Sequence, residues 1–355
     1  MVITRDPDEG CVNLGTYRVM LHDKDTLGFY ISPGHHGRIM REKYWSRGES
    51  CPVAVSFGQD PLLWTASVTT LKWGASEYDF AGYLKGEPVE IMRGPLTGLP
   101  IPARAEIVIE GEAPPPEVET RIEGPFGEWT GYYGHGARPE PVIKVKAVYH
   151  RNDPILQGNP PNKAPLISSA FPAHLSHSAH LWNEMEVAGI TGIRGVYIPP
   201  FAPGKLGIIS LKQQFHGHAK KAGLVAAANS YTTTFRILVD DDIDPSNIED
   251  VLWAVVTRCD PETSLNIVGG TMSSALDPQM SPEKKGRGDF TSSVLIIDAC
   301  RPFHRIKEFP PVNKLSDGMR QKMLGKWGKA LATIIRDQKG PEPCLPDSIR
   351  KVTML

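Results

Sequence analysis

The sequence lacks the features that mark several large classes of protein. It has five cysteines in 355 residues, and none of them stands in a CxxC pair. Scattered cysteines of odd number are typical of reduced thiols in a cytoplasmic protein. No apolar run approaches the length of about 20 residues needed to cross a bilayer, and the N-terminal residues lack the layout of a signal peptide. We therefore predict a cytoplasmic protein with no membrane partner.

An excess of charge of either sign is also missing. The chain carries 39 basic and 40 acidic residues, so it lacks the basic footprint of a nucleic-acid-binding protein. Glycine and proline, in contrast, are plentiful, with 34 and 32 residues. This composition favours a β-rich, loop-rich first half over a helical one. The length of 355 residues indicates two domains and is ample for a sizeable core.

The first half of the chain has the pattern of a β protein. Short segments rich in β-branched or aromatic residues, bounded by Gly, Pro or Asp, lie at 19–21, 28–31, 52–57, 105–110 and 141–149. Many short strands separated by turn signals predict a barrel.

Beyond about residue 155 the pattern alternates between helix and strand, which predicts an α/β domain. Helices are predicted at 180–188, 216–230, 245–259 and 316–336, and strands at 207–211, 235–239 and 294–299. The strand predicted at 294–299 is apolar except for Asp298, and we predict that it is buried on both faces. The polar segment 277–289 is predicted to be a mobile loop.

Two glutamates, Glu123 and Glu128, flank the spacer Gly-Pro-Phe-Gly. Pro125 and the two glycines exclude a helix and favour a bend. A bent loop can direct both acids into one cavity, where two carboxyl groups push their pKa values apart. One acid can then stay ionised while the other delivers a proton near neutral pH. The alternative is a surface turn with two solvated glutamates, and this stretch by itself does not exclude it.

Asn13, the paired His35 and His36, and Glu77 form a mixed set of oxygen and nitrogen ligands. Such a set suits Mn²⁺ or Mg²⁺ completed by water and phosphate oxygens, rather than a closed zinc site. Each residue also has a structural explanation. Asn13 fits a turn, the histidines fit a surface pair in a turn, and Glu77 fits the first turn of a helix.

Two further groups of histidines have a structural interpretation. His174, His177 and His180 recur every three residues, and no acid or cysteine accompanies them at this spacing, which predicts one solvated face. His216 and His218 are predicted to be structural.

Several blocks of sequence, in the same order, resemble the UbiD family of decarboxylases, which use prenylated FMN (prFMN). They cover nearly the whole chain: ITRDPDEGCVNLGTYR, HDKDTLGFYISPGHHGR, GASEYDFAG, PARAEIVIEG, EGPFGEWTGYY, KQQFHGHAKKAG, VDDDIDPSNIEDVLWAVVTRCDP and SSVLIIDACRP. The resemblance implies a mixed α/β fold, with a β-barrel-like flavin domain of the split-barrel type followed by an α/β domain. We predict a prFMN-binding domain at 1–155, a C-terminal α/β domain at 156–312, and a C-terminal helix and tail at 313–355.

The resemblance also implies which residues bind the cofactor and the metals. Asn13, His36 and Glu77 resemble the ligands of a Mn²⁺ (or Mg²⁺) that clamps the cofactor phosphate, with His35 as the alternative to His36. The family's K⁺ site falls near Ala66, Ser67 and Thr69. The phosphate-binding lysine of some members has no clear match, and Lys220 is a weak substitute. Cofactor binding is thus predicted for Asn13, Arg18, Ala66, Ser67, Thr69, Glu77 and Lys220.

The family's catalytic network matches Arg18, Glu123 and Glu128, and Leu276 matches a residue that packs over the substrate. In this resemblance Arg18 holds Glu128 ionised before CO₂ leaves and helps to place the substrate carboxylate. Glu128, once protonated, delivers the proton that replaces CO₂, and Glu123 orients Arg18. The flavin carries the carbon chemistry, and the protein supplies placement, charge and protons.

The implied activity is reversible, non-oxidative decarboxylation of an aromatic, heteroaromatic or α,β-unsaturated carboxylic acid, with CO₂ as the second small molecule. A flavin prenyltransferase is implied as the supplier of the cofactor, and a homo-dimer or higher homo-oligomer as the assembly. Family members usually carry a further domain ahead of the block that starts at Val2. We expect most of it to be missing here, which would expose apolar surface.

Two alternatives stay open at this point. The first is a non-catalytic or partner-dependent UbiD-like subunit of a larger carboxylase or decarboxylase. The second is a metal-dependent hydrolase that uses the same Asn, His and Glu set. Bound modified flavin would separate the first from the second, and turnover of phenolic acids would separate an enzyme from a subunit.

Overall fold

A computed structural model describes residues 1–134, 136–156, 158, 163, 170–202, 204–229, 232–314 and 316–338. The chain divides into two compact units, Met1–His304 and Arg305–Leu355. Within the described ranges, every helix is too short or too polar to span a membrane.

The first half of the larger unit, which we call the β region, is built around an eight-stranded antiparallel sheet. The strands of the β region are β1 (Val2–Arg5), β2 (Val12–Gly15), β3 (Arg18–Leu21), β4 (Thr26–Tyr30), β5 (Cys51–Phe57), β6 (Ile91–Arg93), β7 (Pro100–Pro102), β8 (Ile107–Ala113), β9 (Thr120–Glu123) and β10 (Arg138–His150). The sheet has the order β2-β1-β5-β8-β10-β4-β3, with β9 also paired to β10, and it forms a half-barrel. Strands β6 and β7 form a separate pair.

Both faces of this sheet are buried. Successive side chains of a strand point to opposite faces, and here the side chains of each face pack into a hydrophobic cluster. On β1, Val2 and Ile3 are both fully buried but belong to different hydrophobic clusters. On β5, Val53 joins the cluster of Val2, and Ala54 joins the cluster of Ile3. The strands predicted at 19–21, 28–31, 52–57, 105–110 and 141–149 all overlap strands of this sheet.

Three helices cover the sheet: α1 (His36–Trp45), α2 (Pro61–Val68) and α3 (Glu77–Lys85). Helix α2 begins with Pro61 at its first position, after Asp60, whose side chain accepts a hydrogen bond from the backbone of Leu62 at 2.8 Å. Helix α3 begins after Ser76, which accepts from the backbone of Asp79 at 3.1 Å. It ends at Gly86 in the left-handed conformation, which glycine adopts without strain.

The second half of the larger unit, which we call the α/β region, alternates helices and strands as predicted. Its elements are α4 (Ala170–Val187), β11 (Ile193–Tyr197), β12 (Leu206–Leu211), α5 (His218–Ala228), β13 (Phe235–Asp240), α6 (Ile248–Arg258), β14 (Leu265–Met272), α7 (Pro282–Gly286) and β15 (Thr291–Ala299), followed by a 3-10 turn at Phe303–Arg305. The sheet order is β11-β12-β13-β15-β14. Strands β12, β13 and β15 are parallel, while the two edge strands are antiparallel to their neighbours.

Three predictions need correction. Helix α1 starts at His36, where a turn was predicted, and its mostly polar sequence has only a weak apolar pattern. The predicted loop 277–289 contains α7, which follows a Ser281 cap and a proline at its first position. On β15, Val294 and Ile296 are fully buried but Ile297 is only partly so, and burial on both faces was too strong a prediction.

The smaller unit contains one described helix, α8 (Asp317–Gln338), close to the predicted 316–336. Met319, Met323 and Trp327 are exposed on it at a spacing of four residues. This spacing places them on one side of the helix.

Candidate functional site

The structure brings together the three residues predicted to be catalytic. Arg18 is the first residue of β3, Glu123 is the last residue of β9, and Glu128 follows in the adjoining loop. The Nε atom of Arg18 donates to Glu123 Oε1 at 2.6 Å, and its Nη1 atom donates to Glu128 Oε1 at 3.4 Å. One guanidinium therefore holds two carboxylates, and we call this group the Arg18 network.

The two carboxylates of the Arg18 network are not equivalent. Glu123 is only 1% exposed and makes the shorter of the two ion pairs. Glu128 makes the longer pair, and 16% of its side chain is exposed. Short hydrogen bonds between charged groups are the strong ones. Glu123 is therefore held firmly, whereas Glu128 sits at the accessible edge of the network.

The loop that carries Glu128 is bent as the sequence predicts. Gly124 has φ +89°, a conformation that favours glycine. After the bend, Gly127 pairs with Tyr133, and the backbone nitrogen of Glu128 donates to Tyr132 O at 2.9 Å. The alternative of a turn with two solvated glutamates does not describe Glu123, since this residue is buried.

Two aromatic rings hold the guanidinium of Arg18. Its Cζ atom lies 4.6 Å from the ring centroid of Tyr30 and 4.4 Å from that of Phe126. Both contacts are cation–π interactions. Neither ring was singled out from the sequence, although Phe126 stands between the two glutamates. The rings fix the plane of the guanidinium and with it the direction of its remaining nitrogen.

Polar atoms without partners are concentrated at this network. Within the described part of the chain, Arg18 Nη2, His22 Nε2 and Glu123 Oε2 are buried and have no hydrogen-bond partner. The Glu123 carboxyl lies against Gly28 of β4, where a Cβ atom would come within 2.3 Å of Oε2 and 3.1 Å of His22 Nε2. Glycine is therefore required at position 28. Buried polar groups normally have partners, so this concentration marks a place that is built to bind something further.

Two of the predicted metal ligands are in direct contact. Asn13 Nδ2 donates to Glu77 Oε1 at 2.9 Å, and the backbone nitrogen of Leu14 donates to Glu77 Oε2 at 3.1 Å. Glu77 is the first residue of α3, as its structural alternative predicted, but it is only 3% exposed. Burial raises the pKa of this carboxyl. No cation lies beside Glu77 among the described ion pairs, so its charge faces only dipoles.

The predicted histidines lie near this pair but do not contact it. His36, the first residue of α1, packs its ring edge-on to Trp73 at 5.1 Å, and His35 packs edge-on to Tyr17 at 5.7 Å. Tyr17 in turn donates to Asn13 Oδ1 at 2.7 Å. Burial, and then the neighbouring His36, lower the pKa of His35. In the described part of the chain, no three His, Cys, Asp or Glu side chains converge as a metal site.

The residues predicted for potassium lie at the end of α2. Ser67 O accepts from the backbone nitrogen of Thr16 at 3.2 Å, and the two hydroxyl groups are 2.8 Å apart. Ala66 is buried, and its carbonyl accepts from the nitrogen of Thr69 at 3.1 Å. These residues therefore adjoin the segment between Asn13 and Arg18.

Two predicted residues come from the α/β region, and only Leu276 reaches the site. A Cβ atom at Gly134 would lie 2.7 Å from Leu276 Cδ2 and 2.9 Å from Glu128 Cγ, so both side chains lie against Gly134. Lys285, which was not predicted, donates to Gly134 O at 3.2 Å. Lys220 is exposed on α5, and within the described residues no hydrogen bond or ion pair joins it to Asn13 or Arg18.

The other histidines give a mixed outcome. His218 is buried, stacks on Phe215 at 4.4 Å and accepts from the backbone of Gln214 at 3.2 Å, which confirms a structural role. The prediction of a solvated face is wrong for His174, because this residue is only 6% exposed. Burial, and then the neighbouring His177, lower its pKa to about 4.

Two family models match consecutive parts of the chain. The 3-octaprenyl-4-hydroxybenzoate carboxy-lyase Rift-related domain, UbiD, matches residues 1–164, and the corresponding C-terminal domain matches residues 170–299. The chain belongs to the UbiD family.

Known relatives agree with this assignment. The chain is 34% identical over 315 residues to a phenolic acid decarboxylase of Bacillus subtilis, covering 85% of this chain and 63% of that protein. The UbiD-class enzyme HmfF from Pelotomaculum thermopropionicum, solved with FMN, is 29% identical with a TM-score of 0.81, covering 92% of this chain and 70% of that one. An evolved dimeric form of HmfF, solved with prFMN, is 27% identical with a TM-score of 0.73, covering 88% and 66%. The chain spans 62–63% of the length of the curated relatives it matches.

Proposed function

We propose that this chain is a prFMN-dependent carboxy-lyase that reversibly removes CO₂ from an aromatic or other unsaturated carboxylic acid. The observation that carries the proposal is the Arg18 network, in which one guanidinium holds two unequal carboxylates and keeps a buried Nη2 without a partner. A buried cationic donor of this kind matches a substrate carboxylate. The relatives named as phenolic acid decarboxylases favour phenolic acids as the first substrates to test.

In this proposal each residue of the network has a distinct task. Arg18 Nη2 binds and orients the carboxylate of the substrate. Glu123 fixes the orientation of Arg18 through the 2.6 Å ion pair. When the bond to CO₂ breaks, its electron pair stays on the substrate carbon, and Glu128 delivers a proton to that carbon. The prenylated flavin supplies the covalent chemistry that makes the loss of CO₂ feasible.

The residues around Glu77 fit the divalent metal that the family implies. The Glu77 carboxylate is 3% exposed, and among the described residues it is bonded to an amide and to backbone nitrogens but to no cation, so it is costly to keep ionised. A Mn²⁺ or Mg²⁺ ion would offset that cost, and carboxylate, amide and imidazole groups suit such an ion. We assign the site to Asn13, Glu77 and His36, with His35 as the alternative, and a K⁺ site to Ala66, Ser67 and Thr69.

The α/β region is proposed to close the substrate pocket. Leu276 and Glu128 both lie against Gly134, and Lys285 donates a hydrogen bond to the Gly134 carbonyl. We further propose that the half-barrel is a split-barrel-type flavin domain, with domain bounds at 1–155, 156–312 and 313–355. We also propose that a flavin prenyltransferase supplies the cofactor and that the chain assembles into a homo-dimer or higher homo-oligomer.

The hydrolase alternative has weaker support, because the paired acids and the possible metal ligands form separate hydrogen-bonded groups. Glu123 and Glu128 are bonded to Arg18, whereas Glu77 is bonded to Asn13. A metal-activated water needs an acid or base within reach of the metal ligands.

The test is to express the chain with and without a flavin prenyltransferase and to identify the released cofactor by mass spectrometry. We expect prFMN only after co-expression, together with CO₂ release from members of a phenolic acid panel. The matched control is the protein made without the prenyltransferase. Protein that binds no flavin, or that binds prFMN but turns over no member of a broad panel of unsaturated acids, would refute the proposed activity.

A further inference from the structure

His22 lies in the turn between β3 and β4, four residues after Arg18. Its backbone nitrogen donates to Thr26 O at 3.0 Å, which holds the turn together. Its ring nitrogen Nε2 is buried and faces the interior, where the described residues offer it no hydrogen-bond partner. The position of His22 is therefore fixed by the backbone, while its ring is directed at the Arg18 network.

Oε2 of Glu123 lies on the same side of Gly28 as His22 Nε2, and it also has no partner within the described residues. Both atoms lie close to one point above Gly28, His22 Nε2 at 3.1 Å and Glu123 Oε2 at 2.3 Å. They are not hydrogen-bonded to each other in the structure. One bridging water, or a small movement of the ring, would join them. If Nε2 carries a hydrogen, it can donate to Glu123 Oε2, and this interaction gives both buried atoms a partner.

The charges around this point are unequal. Arg18 contributes one positive charge to a group that contains the two carboxylates of Glu123 and Glu128. The remaining charged side chains of the β3–β4 turn are exposed, and one of them, Asp23, pairs with Arg121 of β9 at 3.5 Å. Among the described ionisable groups of this turn, His22 is the one that faces Glu123. A hydrogen on Nε2 would complete the partners of Glu123, because Arg18 already occupies the other oxygen.

We propose that His22 is a positioning residue of the site. It carries a hydrogen on Nε2 and donates it toward Glu123 Oε2, directly or through one water, so that Glu123 keeps its negative charge. The exchanging proton of the reaction then resides on Glu128 rather than on its neighbour. This inference rests on the proposed function for its catalytic meaning, but the location of the hydrogen is a property of this chain alone.

The first test needs neither cofactor nor turnover. In protein labelled with ¹⁵N at histidine, the chemical shift of a ring nitrogen shows whether it carries a hydrogen, and His22→Gln assigns the resonance by its loss. We expect a hydrogen on Nε2 of His22 and a shifted Nε2 resonance in Glu123→Gln. Glu140→Gln is the matched control, because Glu140 is a buried carboxylate of the same sheet that pairs with Arg138. An Nε2 nitrogen without a hydrogen, or an Nε2 chemical shift that Glu123→Gln leaves unchanged, would overturn the proposal.

The second test compares His22→Leu with His22→Gln in protein loaded with flavin. Leucine removes the donor, whereas glutamine keeps an N–H group of similar reach. We expect His22→Leu to lower kcat by roughly ten- to a hundredfold with little change in KM, the cost of losing one hydrogen bond to a charged group, and His22→Gln to retain most of kcat. His150→Leu, which changes an exposed histidine at the end of β10, should have no effect.

The two tests separate the inference from the proposed function. Equal losses in His22→Leu and His22→Gln would indicate that only the shape of the ring matters and would overturn the positioning role. If the wild-type chain held no flavin and turned over no acid, the proposed function would fail. The nitrogen shifts would still decide whether His22 donates to Glu123.

Discussion

The larger unit contains two arginine–carboxylate networks, and they differ in how completely their polar atoms are paired. In the α/β region, Asp240 at the end of β13 accepts from Gln213 Nε2 at 2.8 Å, from Arg258 Nη1 at 3.1 Å and from the Arg301 backbone at 2.7 Å. Arg258 also bonds both oxygens of Asp242, at 2.9 and 2.8 Å. We call this group the Asp240 network, and its hydrogen-bonding capacity is used within the protein.

The Arg18 network has a similar composition, yet three buried atoms at or beside it lack partners among the residues that the structure describes: Arg18 Nη2, His22 Nε2 and Glu123 Oε2. A fully paired buried network rigidifies a fold, while an incompletely paired one is costly unless a further group binds there. We propose from this difference that the Asp240 network is structural and the Arg18 network functional, although both contain buried ion pairs. Substitutions should therefore affect stability in the Asp240 network and turnover in the Arg18 network.

The largest expected effect is on turnover in the Arg18 network. Glu128→Gln keeps the shape of the side chain but cannot deliver a proton. It should lower decarboxylation by roughly 10²–10⁴-fold, the loss typical of a positioned general acid, with flavin and folding stability retained. Single-turnover decarboxylation measures the effect, and hydrogen exchange at the product carbon follows the proton step separately.

The same network should respond as a unit. Adding Arg18→Ala to Glu128→Gln should cost little more than Glu128→Gln alone, because residues that act together are not additive. Glu123→Gln should lower turnover less than Glu128→Gln does, since the proposed role of Glu123 is to orient Arg18. If Glu128→Gln exchanged the hydrogen at the product carbon at the wild-type rate, Glu128 would be excluded as the acid. The Arg18 network would then lose its proposed functional role.

The next effect belongs to the Asp240 network. Asp240→Asn removes one of the two carboxylates that pair with the buried Arg258 and leaves Asp242 as the other. Breaking a buried pair outright costs about 3–5 kcal/mol, so we expect a loss of at most that size. Urea unfolding should show this loss of stability, with the flavin spectrum of the folded protein unchanged. Asp241→Asn, a change at the exposed aspartate next in the chain, is the control and should be nearly neutral. A stable Asp240→Asn protein with impaired turnover would reverse the roles of the two networks.

A third buried carboxylate, Glu77, extends the comparison to metal binding. Glu77→Gln should weaken Mn²⁺ binding by at least roughly a hundredfold, because it removes a charged ligand and the loss of an outer partner alone costs about 10–100-fold. Flavin should be lost with the metal. Elemental analysis and flavin absorbance of the purified protein measure both, with Glu42→Gln on the exposed side of α1 as the control. Full flavin occupancy without metal would contradict the proposed bridge, and separate substitution of His35 and His36 would identify the ligand.

How much of this was visible in the sequence depends on how local each signal is. The strands around Val53 and Ile143 were predicted because β-branched residues stand between clear turn signals. Glu123 and Glu128 were singled out because the residues between them, Gly-Pro-Phe-Gly, predict the bend directly. His22 was missed although it stands in a quoted block, because its relation to Glu123 depends on Gly28, which is brought between them by strand pairing.

The smallest expected effect tests whether every unpaired buried group marks a binding site. His174 on α4 is buried in the α/β region, and neither ring nitrogen has a partner within the described residues. Its pKa is lowered from 6.5 to about 4, chiefly by burial. Between these two values the unfolded chain binds a proton that the folded chain does not, so stability falls as the pH falls through this window. The slope that His174 adds is at most about 1.4 kcal/mol per pH unit.

Urea unfolding of the wild type and of His174→Leu at about pH 5 and about pH 7 measures this slope, since the window of His174 lies mainly below neutral pH. We expect His174→Leu to lose less stability on acidification than the wild type, while His180→Leu, an exposed change on the same helix, should behave like the wild type. That outcome would show that His174 is a neutral ring packed in the interior. Unpaired buried atoms would then indicate a binding site only where they lie beside charged groups, as they do at Arg18. Equal losses in the wild type and His174→Leu would instead mean that the ring takes up a proton in the folded chain. His174 would then need a partner of its own, and the α/β region would contain a second site.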